Sequence, residues 1–129
     1  MSNHDLWFEK SRRDYEIACK LLADADCPYI PEALYHAQQS VEKSLKGFLV
    51  FHGILPDRTH NLVILLDACM LIHPDFKLLS RQARDLTHLA IKTRYPEDDF
   101  MVPYLPVAQQ YVQDAQFVFD FVQNLILKL

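Results

Sequence analysis

The stretch Leu34-Tyr35-His36-Ala37-Gln38-Gln39-Ser40-Val41-Glu42-Lys43-Ser44-Leu45-Lys46-Gly47-Phe48-Leu49 decides the fold. Leu34, Ala37, Val41, Leu45, Phe48 and Leu49 recur at intervals of three and four, which places them on one face of a helix. Gln39, Lys43 and Lys46 fall on the opposite side at about 100° per residue. The spacing predicts a helix from near Pro31 to His52.

Outward from this block the prolines divide the chain into five segments, each with helical and not strand periodicity. Pro28 and Pro31 precede the block, Pro56 follows it, Pro74 ends the next, and Pro96, Pro103 and Pro106 separate the last two. The first segment, about Asp5 to Asp24, aligns Trp7, Ser11, Tyr15, Ala18, Leu22 and Ala25. The third, Asn61 to Ile72 with Thr59 as N-cap, is nearly all apolar and reads as a short, deeply buried helix. The fourth spans roughly Asp75 to Arg94, with Leu78, Leu79, Leu86, Leu89 and Ala90 as its apolar positions. The fifth, about Tyr104 to Leu129, carries Leu105, Ala108, Val112, Ala115, Phe119, Val122, Ile126 and Leu129 on one stripe, with Phe117 and Phe121 beside it. A stripe so wide needs two neighbouring helices, or one bundle and a second subunit, to cover it. The expected fold is all-α, an up-and-down bundle of four or five helices forming one domain over residues 1–129.

Composition narrows the function. The chain has 129 residues, 50% hydrophobic and 23% charged, as a globular protein does. It has only 2 glycines, where average usage predicts roughly nine. Gly47 and Gly53 stand alone, so neither a phosphate-cradling glycine loop nor a dinucleotide fingerprint is present. Thirteen Lys and Arg against 17 Asp and Glu give a net charge of −4, which argues against wrapping nucleic acid with the whole surface and leaves room for a local basic patch. Cys19, Cys27 and Cys69 form no Cys-x-x-Cys pair, as suits a reducing compartment. The first ten residues lack a signal-peptide pattern, and no apolar run approaches the roughly 18 residues of a membrane span. A cytoplasmic protein without membrane association is expected. Neither Glu-x-x-His nor His-x-x-x-His occurs, so no metal and no cofactor is expected.

Three places carry polar chemistry. Gln38 and Glu42 sit on the edge of the apolar arc, with Tyr35 on the same flank. They form either a buried inter-helix hydrogen bond, for instance to the loop before the third segment, or a polar groove shared with Lys46 and a partner helix. Lys43 and Lys46 taken alone read as a solvated face. In the fourth segment Lys77, Arg81, Arg84, Lys92 and Arg94 outnumber Asp85. Arg84, His88 and Lys92 are successive i, i+4 neighbours, and Arg81 returns to nearly the angle of His88. An Arg–His face suits metal-independent RNA cleavage, the imidazole taking the proton of the 2′-hydroxyl and the guanidinium steadying the phosphate. The plain alternative is an exposed basic face with His88 solvated. Finally, Pro96 forces Tyr95 out of helical geometry and ends the helix. Arg94 then binds the last carbonyls of its own helix or offers its fork to a phosphate or carboxylate. The acidic run Glu97-Asp98-Asp99 stands ready to neutralise it.

Taken together, Tyr35-His36-Ala37-Gln38-Gln39-Ser40-Val41-Glu42-Lys43-Ser44-Leu45-Lys46, then Arg58-Thr59-His60-Asn61-Leu62, then Arg94-Tyr95-Pro96 before a long last helix resemble the HEPN domain family. The resemblance runs from Trp7 to the last helix. It implies a five-helix bundle, usually a homodimer, often encoded beside a minimal nucleotidyltransferase in a two-component, toxin–antitoxin-like system. Some HEPN relatives cleave RNA without metal through an Arg, four to six residues, then His; others bind nucleotides or partners. Here Arg81 and His88 enclose six residues, and Arg84 and His88 only three. The resemblance therefore implies a dimeric nucleotide- or RNA-binding module more than a catalyst. Its ligand-binding residues would be Lys43, Lys46, His60, Arg94 and Tyr95, beside a polar groove of Tyr35, Gln38 and Glu42. The alternative is an endoribonuclease with His88 as base and Arg81 or Arg84 on the phosphate. A second alternative is a docking scaffold that binds no ligand.

Overall fold

A computed structural model of the chain describes residues 2–92 and 102–128. Within them run five α-helices: α1 (Asn3–Leu21), α2 (Ile30–Phe51), α3 (Leu62–Ile72), α4 (Ser80–Lys92) and α5 (Leu105–Leu127), with a 3₁₀ turn, Pro74–Leu79, before α4. No strand occurs among the described residues. The protein is an all-α bundle, and α2 is its centre, packed against α1, α3, α4 and α5.

All six residues of the arc on α2, Leu34, Ala37, Val41, Leu45, Phe48 and Leu49, are buried. Phe48 stacks on Phe76 of the 3₁₀ turn at 4.6 Å between centroids, and Phe76 meets Phe121 of α5 edge-on at 5.3 Å. This ladder ties three elements into one core. The stripe of α5 packs against α2, α1 and α4, while Phe117, beside it, is 53% exposed.

The α1–α2 contact is the most extensive in the bundle, and small residues line it. Ser11 Oγ donates to the Ser40 carbonyl at 2.6 Å and lies 2.7 Å from Ser44 Oγ, so a buried hydroxyl cluster joins the two helices. One turn further, Gly47 faces the Phe8 ring, and a Cβ there would lie 2.4 Å from Cε1. Phe8 is itself buried, with its ring edge-on to Phe119. Gly47→Ala should therefore destabilise the fold by about 1–3 kcal/mol through overpacking. Urea denaturation measures this, and an unchanged midpoint would show that α1 and α2 are less tightly apposed.

Several local expectations need correction. α1 starts at Asn3, not near Asp5, because Ser2 caps it: Ser2 Oγ accepts from the Asp5 N–H while Asp5 accepts from the Ser2 N–H. It ends at Leu21, so Ala25 is exposed. The N-cap of α3 is Asn61, whose side chain accepts from the Val63 N–H; Thr59 instead accepts from the Asn61 N–H, bracing the loop. α3 is not deeply buried all round. Leu62, Leu65, Leu66 and Cys69 face the core, but Val63, Ile64 and Leu71 are exposed, Leu71 at 91%. The fourth segment is split, since Pro74 and the capping His73 side chain set up the 3₁₀ turn; it buries Phe76 and Leu79 and leaves Leu78 exposed. Ala90 and Leu129 carry expectations that lie outside the described side chains.

After α2 the chain reverses at Gly53, whose φ of 75° is the left-handed conformation that glycine adopts without strain. The three cysteines are free thiols. Burial pushes the Cys69 thiol up to about 12, which keeps it protonated and unreactive. Among the described residues no helix is long and apolar enough to cross a membrane.

Candidate functional site

Gln38, Glu42 and Lys46 occupy successive turns of α2 on the flank that faces the loop before α3, and all three are buried. Gln38 Nε2 donates to the His60 carbonyl at 2.7 Å, while its Oε1 accepts from Gln39 Nε2 at 2.9 Å. Glu42 uses both oxygens. Oε1 lies 2.8 Å from His60 Nδ1, and Oε2 accepts from Lys46 Nζ at 3.2 Å. An ionised carboxylate only accepts, so His60 carries its proton on Nδ1 and its free ring nitrogen is Nε2. The His60 side chain is 82% exposed although Glu42 holds it. The result is an imidazole fixed in orientation by a buried carboxylate and presented to solvent.

A second network lies on the other side of the same strip. Asp14 of α1 is buried; its Oδ1 stands 2.9 Å from His36 Nδ1 and its Oδ2 accepts from Lys43 Nζ at 2.5 Å. The Tyr35 ring meets His36 edge-on at 5.3 Å. Each carboxylate thus holds one lysine and one histidine. His36, Gln39, Lys43 and Lys46 follow one another along α2 at intervals of three and four.

Lys43 and Lys46 are therefore not a solvated face. Lys43 is half-buried and Lys46 is 8% exposed, its ammonium 5.8 Å from the centroid of the Trp7 ring. Their cover comes from α1, which an angular count along α2 alone leaves out. Two lysines balance two carboxylates, so with both imidazoles neutral the strip has no net charge. An anion there would be held by directed hydrogen bonds from fixed ammoniums more than by a broad positive field.

Arg81, Arg84 and His88 share one exposed face of α4. Asp85 stands between the arginines: its carboxylate is 3.8 Å from Arg81 Nη1 and 3.9 Å from Arg84 Nε. Thr87, which the sequence did not single out, accepts from the Leu62 N–H at 3.2 Å and anchors α4 to the start of α3, two residues beyond His60. Arg94 and Tyr95 lie outside the described residues.

The family model of the HEPN domain matches residues 4–125. The chain belongs to the HEPN domain family. No curated protein and no solved structure matches it.

In this HEPN domain two of the three sequence segments that carry the resemblance meet in space. Gln38, Glu42 and Lys46 come from the first, and His60 from the second. The residue the sequence reading missed is Asp14. It follows Trp7 and Ser11 at helical spacing, and a carboxylate on the buried face of α1 is the signal that marked it. Among the described residues of the domain, no three His, Cys, Asp or Glu side chains gather as a metal site requires.

Proposed function

We propose that this HEPN domain is a binding module for the phosphate of a nucleotide or RNA, acting as one domain over residues 1–129. Lys43, Lys46 and His60 hold the phosphate, with Arg94 and Tyr95 completing the site and Tyr35, Gln38 and Glu42 forming its polar wall. The observation that carries this reading is the buried Glu42 carboxylate, which orients the exposed His60 imidazole and holds the buried Lys46 ammonium on its other oxygen. Burying a carboxylate and an ammonium is costly in free energy. The pair places donors where a ligand needs them already oriented. The resemblance adds a homodimer and a minimal nucleotidyltransferase partner in a two-component, toxin–antitoxin-like system within the cytoplasm.

Calorimetric titration with ATP and with a short single-stranded RNA tests this. The wild-type chain should bind at least one of them, and His60→Ala, Lys43→Ala and Arg94→Ala should each weaken binding about tenfold, as loss of a charge-assisted hydrogen bond does. No heat from the wild type, or unchanged affinity in all three variants, removes the proposal.

A second reading, metal-independent RNA cleavage by His88 with Arg81 or Arg84, draws on their common exposed face on α4. It requires cleavage in EDTA that is lost in His88→Ala. Intact RNA after incubation with the wild type would end it.

A further inference from the structure

Beside the strip, the N-terminal half of α1, the C-terminal half of α2 and the turn after Gly53 enclose an open groove of about 760 Å³, within the size range of small-ligand sites. Its walls are of two kinds. Trp7 and the turn residues Ile54, Leu55 and Pro56 are apolar, while Lys10 and Lys43 bring ammonium groups to the same space. Leu55 is 92% exposed, so this apolar surface stands open to water. Lys10 is exposed and makes no ion pair with the described residues, whereas Lys43 is tethered to Asp14.

A neutral apolar ligand would use the apolar wall and leave the lysines idle, and a simple anion would do the reverse. A nucleobase carrying a phosphate uses both: a flat π-surface for the indole and an anion for the ammoniums. We propose that this groove takes one nucleobase with its phosphate, the base stacked on Trp7 against the apolar turn and the phosphate at Lys43, the residue that the strip and the groove share, with Lys10 as a further donor. The inference rests on the phosphate-binding reading above and adds the part of the ligand that is recognised and where it lies. Stacking is tolerant of base identity, so purines and pyrimidines should differ little beyond their stacking area.

Trp7 is the only tryptophan in the chain, so intrinsic fluorescence reads the groove directly. The full chain is titrated with AMP and with a short single-stranded RNA. Ribose 5-phosphate and pyrophosphate serve as base-free controls, and decanoate as an amphipathic anion that lacks a base. Saturable quenching by AMP or RNA but by none of the controls is expected. Quenching by AMP assigns a free nucleotide, and quenching by RNA at much lower concentration assigns a residue within a strand. Trp7→Leu should weaken binding, measured by calorimetry, tenfold or more, and the surface change Lys10→Ala several-fold.

Steady Trp7 emission while AMP or RNA binds with affinity that falls in His60→Ala overturns the groove and leaves the phosphate site standing. Quenching with full sensitivity to Trp7→Leu, but wild-type affinity in His60→Ala and Arg94→Ala, supports the groove and overturns the strip. Absence of both heat and quenching overturns both. A response to decanoate alone gives the groove to an acyl chain, and emission that varies with protein concentration alone gives it to a second copy; either overturns the proposal.

Discussion

Glu42→Ala is expected to lower the stability of the fold by about 3–5 kcal/mol, the range seen when one partner of a buried ion pair is removed. The substitution leaves the Lys46 ammonium, in a residue only 8% exposed, without its counter-charge. It also frees His60 Nδ1 and so removes one of the two side-chain hydrogen bonds that tie His60 to α2, the other being the Gln38 bond to the His60 carbonyl. The Lys46 side chain lies against Trp7, and turning its head to water would cost that contact. Urea denaturation measures the loss. The paired change Glu42→Leu with Lys46→Met should recover most of it, because two apolar side chains of similar volume carry no unpaired charge. A loss under about 1 kcal/mol for Glu42→Ala would mean that Lys46 reaches solvent freely, and with it the claim of a fixed ammonium would fall.

Phe48→Ala should cost a comparable amount, about 3–5 kcal/mol, for a different reason. Phe48 is fully buried at the α2 end of the aromatic ladder, 4.6 Å from the Phe76 ring and 4.6 Å from the His52 ring. Truncation opens a cavity bounded by α2 and the 3₁₀ turn, and the turn has few other buried anchors: Phe76 and Leu79 alone. Chemical denaturation gives the magnitude, and hydrogen exchange gives its location, which should be fastest over residues 74–79. A loss below about 1 kcal/mol would show that the ladder does not hold the 3₁₀ turn to α2.

The fold was legible where a single helix settles its own burial. The arc on α2 is regular over four turns, so every one of its six members proved buried. Depth of burial was harder to read, because it depends on what covers a face. α3 is apolar throughout, and composition alone could not tell that only the Leu62, Leu65, Leu66 and Cys69 side has neighbours. The same blindness, reversed, hid the burial of Lys46, whose cover comes from Trp7 on another helix. Thr59 and Asn61 are both good capping types two residues apart, and their hydrogen bonds alone distinguish them. At the site, Gln38 and Glu42 stood out because polar groups on the rim of an apolar arc demand partners. Lys46, one turn on, already belonged to that group in the sequence, whereas His60 as the other partner required the loop to be placed in space.

On the proposed function, ligand phosphate meets the strip of α2 fixed by Glu42 and Asp14. The most direct measurement is a chemical-shift map recorded while ATP or a short single-stranded RNA is added to isotopically labelled full-length chain. The largest side-chain shifts should arise at His60, Lys46 and Lys43. Shifts confined to Arg81, Arg84 and His88 on α4, with His60 unmoved at saturation, would contradict it.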